Sequence, residues 1–130
     1  GAPLMHDFAT ISLSDLLTPW EIIVRRIEAA ARADFVLALY NPASRKRVTQ
    51  LDEAFGIIRR FRAAETPAAF VRDAGRSGET VEIASLSTAH GRQADMHTVV
   101  IVGSSQTRRL GAAALLLTPR GYTSPAEPSR

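Results

Sequence analysis

The residues with the most chemical potential sit at the end of one apolar run. FVLALY, Phe35 to Tyr40, stops abruptly at Asn41-Pro42, and a basic segment Ser44-Arg45-Lys46-Arg47 follows. An aromatic ring and a primary amide at a broken strand end can flank and hydrogen-bond a ligand, because open α/β sheets place ligands in the crevice beyond their strand ends. Read as the first turn of a helix, Ser44 to Arg47 offers N–H groups and cations to an anion such as a carboxylate. Cations there oppose the helix dipole, so their placement asks for a reason. A solvated first turn is the alternative. Asp73-Ala74-Gly75-Arg76-Ser77-Gly78 could wrap an anion, and an ordinary hairpin connection explains it equally well. His6-Asp7 could orient a proton transfer, or form a solvated surface pair.

Other chemistries are missing. There is no GxGxxG, no Walker phosphate loop, no HExxH and no GxSxG. His6, His90 and His97 have no metal-ligand spacing, and the chain has no cysteine, which excludes thiolate metal sites and disulfides. No metal is expected. The net charge is +3, carried almost wholly by dispersed arginines at helical spacing, with Lys46 the one lysine. Aromatic residues are few and not interleaved with them, so a solvated helix face explains the charge better than nucleic acid does. No apolar run reaches the roughly 18 residues of a membrane span, and there is no signal-peptide pattern. A cytoplasmic location fits the lack of cysteine.

The elements that must hold the Tyr40 edge follow from periodicity. At 130 residues, 45% of them apolar, one domain is expected, or one domain with a borrowed piece of another. Phe8 to Leu13 alternates as a strand. Thr18-Pro19 with Glu21 reads as a capping box opening a helix over Trp20 to Ala31, with Ile23, Ile27, Ala30 and Ala31 on one face. Asp34 to Tyr40 is apolar on both faces, as a central strand is. Ser44 to Phe61 reads as a long helix with Leu51, Ala54, Phe55, Ile58 and Phe61 buried. Gly56 within it costs roughly 1 kcal/mol against alanine, which suggests close packing. Strands are expected at Ala68–Arg72, Thr80–Leu86, His97–Val102 and Ala112–Leu117, with a short helical turn between residues 87 and 95. The tail after Tyr122 is rich in Pro and Ser and is expected to be disordered. The order predicts an α/β fold, a mixed sheet flanked by helices, and not a Rossmann domain.

Five stretches read together carry a resemblance: GAPLMHDFATISLSDLLTPW, DFVLALYNPASRKR, TPAAFVRDAGRSGE, DMHTVVIVGSSQTR and TPRGY. They resemble the tetrapyrrole (corrin/porphyrin) methylase family from residue 1 to about Tyr122. The resemblance implies an S-adenosylmethionine-dependent, usually homodimeric enzyme of two α/β domains with the cofactor in the cleft between them. It implies the branch that methylates precorrin-3B at C17 during corrin ring contraction in cobalamin biosynthesis. The family's glycine-rich cofactor loop belongs to the N-terminal domain and has no counterpart here. The chain also starts at Gly1 without an initiator methionine. Residues 1–14 are therefore expected to be the last strand and linker of a missing N-terminal domain, 15–122 the C-terminal methylase domain, and 123–130 a disordered tail. By motif position the resemblance places cofactor contacts on Tyr40, Ala69 and Thr98. Asn41 is a fourth candidate, because the broken strand end leaves its amide free. Substrate carboxylates are assigned to Arg45, Lys46 and Arg76. The catalytic residue is left unassigned. Another member of the family, or a binding or dimerisation module without catalysis, remains the alternative.

Overall fold

The computed structural model describes residues 2–45, 47, 49–112 and 115–121. Strand β1 (Phe8–Ser12) leads to helix α1 (Trp20–Arg32), strand β2 (Val36–Tyr40) and helix α2 (Gln50–Arg59). Strands β3 (Pro67–Arg72), β4 (Thr80–Ser85) and β5 (Thr98–Val102) follow, with a single 3-10 turn at Gly91–Gln93. A five-stranded sheet has the order β1-β2-β5-β3-β4. β1 and β2 are parallel, and β2–β5, β5–β3 and β3–β4 are antiparallel. The mixed sheet expected from the sequence is present, and its helices are the two amphipathic segments read from periodicity.

The core lies on one face of the sheet. Ile23, Ile27, Ala30 and Ala31 of α1 and Leu51, Ala54, Phe55 and Ile58 of α2 pack with Leu37, Leu39, Phe70, Val100 and Val102. Each large side chain so buried contributes about 1.5–3 kcal/mol. Phe55 and Phe70 meet edge to face, 6.0 Å between centroids. The opposite face carries the alternate residues. Its central row runs Thr10, Ala38, Ile101, Ala69 and Ile83 across the five strands. Strand β1 is an edge strand of this same sheet, and Ile11 and Leu13 belong to its core.

Two helix starts differ from the sequence reading. Pro19, not Thr18, is the N-cap of α1, and no side chain caps the helix. The Pro19 carbonyl accepts from the Ile22 and Ile23 N–H groups, which leaves Thr18 one residue too far away. α2 begins at Gln50 instead of Ser44. Ser44 N–H donates to the Arg47 carbonyl and Arg47 N–H to the Ser44 hydroxyl, closing a separate turn before the helix. Asp52 and Glu53 occupy the true first turn, where acidic groups complement the dipole. The conflict between basic residues and helix start disappears because those residues lie outside the helix. Gly56 is exposed with open space around it, so no close packing explains it.

The expected final strand shrinks to β7 (Leu116–Leu117), which pairs with β6 (Arg108–Arg109) in a separate two-stranded sheet. Ala112 lies in the turn between them, while Ala113, Ala114 and the tail expected to be disordered fall outside the described residues. This ribbon is anchored by Thr118, whose N–H donates to the Ala2 carbonyl and whose hydroxyl lies 2.6 Å from that of Thr107. Gly103 precedes the Thr107 turn because a Cβ there would come within 2.6 Å of the Thr107 Cβ.

The arginines are not all a solvated face. Arg59 donates through Nε to the Leu86 carbonyl and through a terminal nitrogen to that of Ala89. The Arg62 side chain is 1% exposed and donates to the Gly103 and Phe35 carbonyls, with Nε 3.6 Å from Asp34 Oδ1. Burial pulls the Arg62 pKa down and Asp34 pushes it back up. Asp34, at φ 64°, in turn accepts from the Ser105 N–H and hydroxyl.

Candidate functional site

The ends of three strands meet beside Tyr40. β2 finishes at Tyr40, β5 starts at Thr98, and β3 finishes at Arg72 at the same end of the sheet. A cavity of about 290 Å³ there is lined by Tyr40, Asn41, Val71, Asp73, Ala74, Arg76, Met96, His97, Thr98 and Val99. Tyr40, Asn41, Thr98 and Arg76, which lie far apart in sequence, are thereby brought together. The cavity is slightly smaller than pockets that enclose a drug-sized ligand, roughly 300–1,000 Å³.

Each lining residue is held by local bonding. Leu13 N–H donates to the Tyr40 carbonyl at 3.0 Å, which fixes the strand end, while the Tyr40 residue stays 43% exposed. Asn41 breaks the strand with a φ of 51°, a region asparagine tolerates. Its amide nitrogen donates to the Ser12 hydroxyl at 3.1 Å, so the amide expected to be free is tied to β1. Thr98 is buried, and its hydroxyl donates to Asp95 Oδ1 at 2.9 Å while accepting from the Asp95 N–H. That hydrogen is therefore not offered to a ligand in this arrangement. Asp95 Oδ1 also accepts from the His97 N–H, and Arg72 Nε lies 3.1 Å from Oδ2. Burial alone would raise the Asp95 pKa. The hydrogen bonds from His97 and Thr98, with the nearby Arg72 and His97, outweigh it and hold the carboxyl below its ordinary range.

Ala69 lies one row deeper, buried between Ile101 and Ile83 on the face that Tyr40 shares, and does not line this cavity. Asp73 to Gly78 is the β3–β4 hairpin connection, with Gly75 at φ 77° and Arg76 N–H donating to the Asp73 carbonyl. The hairpin and anion-facing readings coexist, because Arg76 also lines the cavity. His6 and Asp7 form an exposed pair at 3.1 Å before the start of β1, at the opposite end of that strand from Ser12.

The substrate candidates separate. Arg45 lines a different cavity of about 680 Å³, together with Ala43, Ser44, Arg47, Asp52, Gly91, Arg92, Ala94, Asp95 and Met96. Lys46 lies outside the described residues. Arg47 and Arg92 are brought to Arg45, while Arg76 stays with Tyr40. Sequence reasoning missed Arg92 because residues 87–95 show no periodicity that would place it. Arg47 was visible in the basic segment, but its position depended on where the helix began. Among the described residues, no group of three or more His, Asp or Glu side chains could hold a metal ion. No helix among them is long and apolar enough to cross a membrane.

Fold and edge together define an α/β domain with an open cavity at its strand ends. The similarity to known proteins is closer than that class. The chain is 51% identical to a precorrin-3B C(17)-methyltransferase of a Sinorhizobium species, over 94% of this chain and 49% of the relative. It is 48% identical to a probable cobalt-factor III C(17)-methyltransferase of Salmonella typhimurium, over 95% of this chain and 50% of the relative. The crystal structure of the methyltransferase CobJ superposes with a TM-score of 0.85 at 40% identity, covering 92% of this chain and 49% of that one. No family model matches. The chain spans about half the length of these relatives. The resemblance read from the five stretches is therefore borne out: the chain is similar along nearly all its length to part of C17-methyltransferases of cobalamin biosynthesis.

Proposed function

We propose that this chain is the C-terminal half of an S-adenosylmethionine-dependent precorrin-3B C17-methyltransferase, acting in the cytoplasm as a homodimer. The observation that carries this reading is the convergence of Tyr40, Asn41, Arg76 and Thr98 on one open cavity at the sheet edge, in a chain so similar to such enzymes. The segment up to residue 14 connects to the N-terminal half, with β1 completing the sheet of this half. When bound, the cofactor supplies the methyl group. The half-exposed Tyr40 ring flanks an adenine. The Asn41–Ser12 bond and the Thr98–Asp95 bonds hold the strand ends that form the wall. Ala69 keeps the row beneath them small. Arg45, Lys46 and Arg76 face the carboxylates of the tetrapyrrole.

Calorimetric titration with S-adenosylhomocysteine tests this. The ligand is titrated into this chain, and into this chain joined to the N-terminal half of the Sinorhizobium relative. Saturable binding at least about tenfold tighter in the joined protein is expected, a difference of roughly 1.4 kcal/mol. Equal binding by the two would refute the half-site, and binding by neither would refute the methyltransferase reading.

A further inference from the structure

The larger cavity has a composition that the Tyr40 edge lacks. Three arginines, Arg45, Arg47 and Arg92, come to it from the β2–α2 loop and from the 3-10 turn. Among the described residues, none of the three lies within ion-pair distance of a carboxylate. Arg47 Nε is buried without a hydrogen-bond partner. A buried guanidinium N–H left unpaired costs free energy unless a ligand accepts from it. The two acidic residues in the wall are already engaged. Asp52 Oδ1 accepts from the Gly91 N–H at 2.7 Å, and Asp95 is held by Arg72, His97 and Thr98. They set the loop positions and keep their negative charges, but among the described residues neither forms an ion pair with the three cations.

The rest of the wall is mostly apolar, from Ala43, Gly91, Ala94 and the exposed Met96, with Ser44 as a further polar residue. The volume of about 680 Å³ lies within the range that takes a drug-sized body and exceeds what one carboxylate needs. Met96 also lines the Tyr40 cavity, so the two cavities adjoin across its side chain. Arginine presents a planar fork that matches a carboxylate, and a thioether packs adaptably on a flat apolar surface.

We propose that the cavity of Arg45, Arg47 and Arg92 is a carboxylate subsite, which takes the acidic side chains at one edge of a polycarboxylate tetrapyrrole while Met96 packs on its ring. This rests on the function proposed above. It adds Arg47 and Arg92 to the carboxylate partners named there.

The probe is uroporphyrin I, an octacarboxylate tetrapyrrole, titrated into this chain and followed by its absorbance without any cofactor. Binding is compared with that of an Arg47→Gln/Arg92→Gln variant and of an Arg108→Gln/Arg109→Gln variant. The second carries the same charge change on the exposed strand β6. Arg92→Gln alone, at an exposed loop position, serves if the first variant does not fold. Affinity is expected to fall about tenfold or more in the cavity variant and by less than about twofold in the β6 variant. Equal losses in the two, or no saturable binding by the parent chain, overturn the subsite. The S-adenosylhomocysteine titration is independent of it. Unchanged cofactor binding with no cavity effect sinks only the subsite, whereas lost cofactor binding sinks the enzyme reading.

Discussion

Replacing Arg62 by methionine is expected to be the most damaging single change among the arginines at and beyond the end of α2. Its side chain is 1% exposed and joins the exit of α2 to the start of β2 and the end of β5. Methionine keeps the length of the stem and removes both donors to the Phe35 and Gly103 carbonyls. A hydrogen bond from a charged group is worth about 1.5–3 kcal/mol, so the two amount to about 3–6 kcal/mol. Two effects temper the loss. Asp34 remains half exposed and keeps its bonds to Ser105, so it is not stranded as a buried charge. Removing a guanidinium whose Nε has no hydrogen-bond partner also recovers some desolvation cost. A net loss of roughly 3 kcal/mol is a large part of the 5–15 kcal/mol typical of a domain. With a urea dependence on the order of 1.5 kcal/mol/M, the unfolding midpoint should fall by about 2 M. Arg60→Met is the comparison. Arg60 is exposed and pairs with Glu28 at 3.2 Å, so its loss should be under about 1 kcal/mol. If urea unfolding followed by circular dichroism shows equal midpoints for the two variants, the clamp assigned to Arg62 is refuted.

Gly103→Ala should destabilise by about 1–3 kcal/mol, since the new methyl meets the buried Thr107 side chain at 2.6 Å; thermal unfolding of that variant measures it. Asp95 has a folded-state pKa below its unfolded value, so its stabilisation is present above the ordinary carboxylate range and is lost as pH falls through the folded value. The stability difference between the parent chain and Asp95→Asn should therefore narrow as pH falls below the ordinary carboxylate range, and a gap that stays constant into strong acid would contradict it. On the function proposed above, in which the Tyr40 ring face flanks an adenine, Tyr40→Ala should weaken S-adenosylhomocysteine binding in the joined protein by about tenfold while Tyr40→Phe keeps most of it. Equal losses in the two would place the hydroxyl in contact instead.

Much of this architecture is a local property of the chain. The apolar face of Trp20 to Arg32 and the run ending at Tyr40 specify α1 and β2 by period and composition, and Asn41-Pro42 ends the strand with the two residue types that suit a break. The mixed sheet was legible because helices alternate with strands early and strands follow one another late. The Tyr40 edge was legible because a strand that stops before a loop marks its own end. Tertiary structure decided the rest. The start of α2 moved to Gln50 because Ser44 and Arg47 satisfy each other's backbone groups, a choice that periodicity does not register. Arg62 shares the spacing of the exposed arginines, yet two carbonyls, of Phe35 just before β2 and Gly103 just after β5, pull it inward. Arg45 and Arg76 look equivalent by composition, but the antiparallel β3–β5–β2 arrangement puts them in separate cavities and brings Arg92 to Arg45. Sequence periodicity reports which face a residue occupies on its own element. Which distant groups it meets there depends on strand order and loop path, which are settled only when the whole sheet has paired.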